Sequence, residues 1–221
     1  SSADRVVVAL QSVFPVRRCT TKLGRLFQPG PEAALCTPAQ LGVAMCPCAG
    51  AATAMHYQRV VAQVTQAMTT SPELVIAPLQ ARLSTLSAER RYEEAAQVRD
   101  RAMAYTNALR RQRLTDRLRE AGDVGLQLGD TMLHLQHGVL VGTSFDGQME
   151  IGLPLPAPDV PPSPLRLPRH VVDEVLCLAR AIERVAHRLT VVWCDGRWQW
   201  PVDPVPDVVG RSSEPAQPQA A

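Results

Sequence analysis

Four cysteines, Cys19, Cys36, Cys46 and Cys48, lie in a stretch too broken to hold a regular core. Between residues 16 and 50 no hydrophobic period persists, and Gly24, Pro29, Gly30, Pro31, Pro38, Gly42, Pro47 and Gly50 interrupt it. Proline removes amide donors and glycine loosens the backbone, so neither helix nor strand is sustained. Such a segment needs a tie from outside the backbone. Four thiols converging from loops can supply one by holding a tetrahedral zinc or an iron–sulfur cluster. The spacing is Cys19-x16-Cys36-x9-Cys46-x-Cys48, whose tight final pair departs from the gap usual in zinc knuckles. The competing reading is four reduced thiols buried as small hydrophobes, and Cys177 and Cys194 fit that reading. Arg17, Arg18 and Lys22 flank Cys19, either as contacts for nucleic-acid phosphates or as a solvated edge.

Outside that stretch the pattern is mostly helical. Val6, Val7, Leu10, Val13 and Phe14 recur at helical spacing until Pro15 ends them. Thr53 is a candidate N-cap for a helix carrying Tyr57, Val60, Val61, Val64 and Met68 on one face and ending near Thr69. Ser71-Pro72-Glu73 opens a further helical region reaching about Glu120, with Pro78 early enough to kink or restart it. Its break belongs at Glu89-Arg90-Arg91, because Leu79, Leu83 and Leu86 form one stripe while Tyr92, Ala95, Ala96 and Val98 begin another in a different phase. Two antiparallel helices are predicted there.

Past Gly122 the period changes to two. Val124, Leu126 and Leu128 alternate, then Met132, Leu133, Leu135, Val139 and Val141, with turns at His137-Gly138 and Asp146-Gly147. Residues 154–168 are a proline-rich, extended linker. A helix from His170 to Arg188 follows, and Thr190 to Trp193 with Arg197 to Trp200 form a second expected hairpin around Asp195-Gly196. The expected class is α+β, mainly α. Residues 1–50 form a short helix and a cysteine-rich module, and residues 51–120 a helix plus a helical hairpin. Residues 121–206 form a small antiparallel sheet with one packing helix, and residues 207–221 a disordered tail.

An apolar share of 46% permits a core, but with aromatics at 4% it must be built from Ala, Val and Leu. No uncharged apolar run reaches the length of a membrane span, and the first residues lack the basic start of a signal peptide, so a cytoplasmic location and no membrane partner are expected. Opening at Ser1 points to a processed start or a piece of a longer chain. A net charge of +2 does not mark a nucleic-acid binder by bulk electrostatics. His56, His134, His137, His170 and His187 are scattered, and no HExxH, P-loop or GxGxxG occurs. Asp123, Asp130, Asp146 and Glu150 sit mostly in turns and do not make the cluster of a two-metal nuclease. No catalytic residues are assigned.

One stretch has the character of a contact surface. In residues 92–100 the small Ala95 and Ala96 permit close helix approach, Tyr92 supplies a large side chain at the turn, and Glu93, Arg99 and Asp100 can pair along or across helices. The plainer alternative is a hairpin packed inside its own domain.

Taken in order, Phe14-Pro15-Val16-Arg17-Arg18-Cys19, then Cys36, then Cys46-Pro47-Cys48-Ala49-Gly50, then Tyr57, then Tyr92 to Asp100, the chain resembles the middle of UvrC, the excision-repair endonuclease subunit, over roughly residues 1–115. The best match looks like bacterial proteins that join a DnaQ-like exonuclease, a GIY-YIG nuclease and this UvrC-like region. In that family the Phe-Pro-x-Arg-x-Cys element directly follows the GIY-YIG domain, so the resemblance implies that the nuclease lies upstream. The family's RNase H-like domain and helix-hairpin-helix repeats are not recognisable after Gly122.

The resemblance implies an iron–sulfur cluster on the four cysteines, with one departure: the family pattern asks for cysteine at position 44, where this chain has Ala44. Cys46 would have to replace it. It also implies a UVR hairpin, through Tyr92, Glu93, Ala95, Ala96, Arg99 and Asp100, that docks the matching hairpin of a UvrB-like partner, with DNA reached indirectly or weakly. The implied role is a non-catalytic module of nucleotide excision repair. The alternatives are a fragment of a DNA endonuclease or exonuclease, and a redox- or metal-sensing module.

Overall fold

The computed structural model describes residues 2–20, 22–24, 27–30, 33–50, 52–145 and 167–206. The elements are α1 (Ser2–Val13), α2 (Thr37–Gln40), a 3-10 turn at Pro47–Ala49, α3 (Ala54–Thr69), α4 (Glu73–Ala88), α5 (Tyr92–Glu120), β1 (Asp123–Leu128), β2 (Thr131–Gln136), β3 (Val139–Phe145), α6 (Val172–Val185), a 3-10 turn at Ala186–Arg188, and β4 (Thr190–Cys194). The protein is α+β and mainly helical, with one small antiparallel sheet among the described residues. No helix among them is long and apolar enough to cross a membrane. The expected turn at Asp146-Gly147, the tail 207–221 and all but the last two residues of the linker 154–168 lie outside the described residues.

The chain forms two compact units, one built mainly from Ser1–Ala108 and the other from Leu109–Pro204. The division falls inside α5, and the sequence of that helix shows why. Its buried positions run Ala95, Val98, Ala102, Tyr105, Leu109 in steps of three and four, then jump five residues to Leu114 and Leu118. A stripe in those steps stays on one face of a helix, whereas a step of five turns the following stripe to another face.

In the first unit α3 begins as its sequence dictates, with the Thr53 hydroxyl accepting the His56 amide at 3.2 Å. The buried face of α3 carries Val60 and Ala67, leaving Val61 45% exposed, and α1 buries Ala9 rather than Val7, which is 50% exposed. Val7 and Val61 therefore do not belong to the core that their spacing predicted. Tyr105 is fully buried, and its hydroxyl donates to the Ala67 carbonyl at 2.7 Å. That carbonyl lies in the last turn of α3, where the helix provides no amide partner, so Tyr105 satisfies a group that would otherwise be buried bare.

α4 runs unbroken through Pro78 and ends in a complete Schellman motif. Arg90 takes the left-handed conformation at φ 59°, its amide donates to Ser87 O at 3.1 Å, and the Arg91 amide donates to Leu86 O at 2.9 Å. The predicted break at residues 89–91 is this cap, and α5 starts immediately after it.

The second unit is a sheet of order β3-β2-β1-β4 with a core formed by Val124, Leu126, Leu135 and Val139 of the strands, Leu114 and Leu118 of α5, and Val175, Ala179 and Ile182 of α6. His137 and Gly138 both have positive φ, as a two-residue hairpin turn of primed type demands. The expected second hairpin is not formed. β4 pairs with β1, and residues 197–200 are not a strand. Instead Arg197 donates to Glu120 O at 2.7 Å and Gly196 to Ala121 O at 3.2 Å, while Trp198 and Trp200 pack against the core. The amides that a hairpin would have used are taken by the connector between α5 and β1, and the indoles gain more by burial than by pairing along an edge.

Candidate metal centre and hairpin surface

The cysteine segment closes through its backbone first. Met45 donates to Pro15 O at 2.7 Å, which brings the strand-like run before Cys46 beside the run leading to Cys19. Arg17 N donates to the Tyr57 hydroxyl at 3.4 Å, tying the same run to α3. Cys36 stands just before α2, whose Pro38 occupies the first turn, and Cys46 stands just before the 3-10 turn that carries Pro47. In each case a proline in the first turn serves as helix starter, two residues after Cys36 and directly after Cys46.

The result is convergence of three thiols. The sulfurs of Cys19, Cys36 and Cys46 all lie within 4.8 Å of one another. Cys46 is buried, and Cys19 and Cys36 are half-buried. A tetrahedral ion with bonds of about 2.3 Å holds its sulfurs roughly 3.8 Å apart, so small side-chain rotations bring these three to bonding distance. Cys48, on the 3-10 turn and half-buried, is outside that group. Ala44, where the UvrC pattern has cysteine, is buried at 6% exposure and offers no ligand.

A guanidinium stands beside Cys19, and the Cys46 thiol is buried among its neighbours. Arg17 Nε donates to Cys19 Sγ at 3.0 Å, and that bond, with the nearby charges of Cys19, Cys46 and Cys48, pushes the guanidinium pKa up against a smaller opposing effect of burial. Burial pushes the Cys46 thiol up, opposed by the backbone amides of Arg18 and Cys19, whose N–H groups favour its thiolate. Three thiolates around one divalent cation leave an excess of negative charge, and Arg17 is placed to offset it.

Of the three basic residues expected near phosphates, Arg17 is thus engaged at its Nε by Cys19. The Arg18 guanidinium donates to Gln11 O in the last turn of α1, and Lys22 is exposed. The part of Tyr57 in holding Arg17 is not visible in a helical period, which places a tyrosine on a face without saying what its hydroxyl meets.

The hairpin residues divide by burial. Tyr92 is 67% exposed at the first position of α5, and Glu93, Arg99 and Asp100 are exposed, whereas Ala95 is buried and Ala96 half-buried. Ala95 thus belongs to the interior stripe of α5, and the outward set is Tyr92, Glu93, Ala96, Arg99 and Asp100. At the turn Arg91 grips Glu94 through two bonds of 2.7 Å and Glu89 at 3.0 Å. This pairing pushes the Glu94 carboxyl down, through the hydrogen bonds from Arg91 first. All three side chains are about half exposed, so the network orients the turn more than it stabilises the fold.

Comparison with protein-family models, with curated proteins and with solved structures gives no match for this chain.

Proposed function

We propose that the chain is a UvrC-like assembly module of bacterial nucleotide excision repair, in which the α4–α5 hairpin docks a UvrB-type hairpin and a metal ion ties the cysteine segment. The observation that carries this reading is the hairpin tip: a stripe of Ala95, Val98 and Ala102 is buried, while Tyr92 stands 67% exposed beside Glu93, Arg99 and Asp100. An exposed tyrosine with an arginine nearby is the pairing that protein interfaces concentrate in their anchors. In this reading DNA is reached mainly through the partner.

The sulfur spacing supports a single tetrahedral ion, zinc by its thiolate set, over an iron–sulfur cluster, whose cysteines bind separate irons and stand further apart. Cys48, the nearest thiol in sequence, lies outside the group and reaches the fourth position only by moving in; otherwise a water molecule fills it. Zinc there would act structurally, since tying loops requires no open coordination position.

Capture of the full chain on an immobilised UvrB-type hairpin tests the docking. Tyr92→Ala and Arg99→Glu are each expected to reduce capture at least about tenfold, as loss of a central interface anchor does. Capture unchanged in both variants, with their helical content intact, would contradict it. Protein prepared without oxygen distinguishes the metals, because a cluster gives a broad visible absorption and zinc gives none.

A further inference from the structure

The first unit contains a second feature, to which the sequence pointed only at Arg18. An open cleft of about 460 Å³ is lined by Arg18, Arg82 and Arg101, by Gln11 and Ser12, and by an apolar wall that includes Phe14 and Val43. The three arginines come from separate places in the chain: the run after α1, the middle of α4, and α5. Among the described residues no carboxylate lines the cleft. Among the described residues none of the three forms an ion pair, and the carboxylate of Glu94, which feels the charge of Arg82, is held by Arg91.

Arginine side chains that share a cleft whose lining offers no carboxylate repel one another, which opposes folding even near water. An anion in the cleft reverses the sign of that contribution. The planar fork of arginine matches phosphate or carboxylate oxygens with two parallel bonds, and three arginines suit phosphate better because it offers more oxygens to share among them. Arg18 is already oriented, since its guanidinium also caps Gln11 O, and this offsets the negative end of α1 on the cleft's own wall. The volume is that of a small-ligand site, and the apolar wall offers a surface to a ring as well as a phosphate.

We infer that this cleft binds a nucleotide unit, its phosphate on Arg18, Arg82 and Arg101 and its sugar and base against the apolar wall. The unit can come free or as part of a nucleic-acid strand, the recognised chemistry being the same. The inference does not depend on the family resemblance or on a docking partner.

The test is fluorescence anisotropy of a labelled oligothymidylate with the full chain, with thymidine monophosphate and inorganic phosphate as competitors. Wild-type protein is expected to bind in a salt-sensitive way. Arg82→Gln and Arg101→Gln should each weaken binding about tenfold, the loss expected for one charged hydrogen-bonding partner, while Arg59→Gln, on the exposed side of α3, should leave it unchanged. Competition by the monophosphate identifies a free nucleotide as sufficient, and competition by unlabelled strand alone identifies the strand as the source. Either supports the site. Circular dichroism and thermal melting establish that the variants are folded. Folded variants that bind like wild type, or a wild-type chain that binds none of the three probes, would overturn it.

Discussion

Replacing Cys46 with serine is expected to abolish tight metal binding. The thiol is buried, and its sulfur lies within 4.8 Å of those of Cys19 and Cys36, so a serine there removes one of the three converged ligands. Affinity for zinc should fall at least about a hundredfold, a loss that even removal of a supporting group can approach. Cys19→Ser and Cys36→Ser should behave alike, whereas Cys48→Ser, outside the group, should cost less. The absorption of thiolate-bound cobalt in place of zinc reads all four variants. Equal losses for Cys48 and Cys46 would mean that the site is a four-thiolate one in which Cys48 has moved in.

The same substitution should loosen residues 16–50 without unfolding the helices. Buried positions in that segment are few, Ala44 and Cys46 among them, whereas α3, α4 and α5 contribute Val60, Ala67, Val75, Ile76, Leu79, Val98 and Tyr105 to a core of their own. Where a segment has little core, the free energy of metal binding becomes its folding free energy, of order 10 kcal/mol for structural zinc. Hydrogen exchange after chelation should therefore rise in the cysteine segment and stay slow in the helices.

A second large effect is expected at Gly196. A side-chain carbon at this position would overlap the Glu120 carbonyl oxygen and lie 2.8 Å from the carbonyl carbon of Ala121. Both are backbone atoms that cannot rotate away, and the same turn carries the bonds from Asp195 N to Asp123 O at 3.0 Å and from Asp123 N to the Asp195 carboxylate at 2.6 Å. Gly196→Ala should destabilise the second unit by about 3 kcal/mol, the upper part of the range for overpacking. For a unit of this size that lowers the melting temperature by roughly 12–24 °C. A melt unchanged within error would show that the connector between α5 and β1 yields more easily than its hydrogen bonds suggest.

Apart from the short α2, the helices and most of the sheet could be read from residue types because local rules decide them. Thr53 caps α3, the change of stripe at residues 89–91 marks a helix end, and the alternation after Gly122 marks strands. What period alone does not carry is the choice of partner. Val7 and Val61 are apolar at helical spacing yet stay exposed, because the buried face is set by what packs on it. Arg197 to Trp200 resemble a strand, but the amides of Gly196 and Arg197 find carbonyls of residues 120 and 121, and the two indoles find the core. At the metal centre the four cysteines announce themselves, whereas the selection of Cys46 over Cys48 depends on the contact of Met45 with Pro15, which links residues far apart in sequence. The arginine cleft was hidden for the same reason, since nothing in sequence places Arg18, Arg82 and Arg101 together.

The proposed role turns on whether the tip of the α4–α5 hairpin is a docking face. Titrating an isotope-labelled full chain with an unlabelled UvrB-type hairpin, and following backbone amide resonances, tests this residue by residue. Shifts are expected to concentrate at Tyr92, Glu93, Ala96, Arg99 and Asp100, with the second unit unperturbed. Resonances at those five positions that stay in place at saturating partner would contradict it.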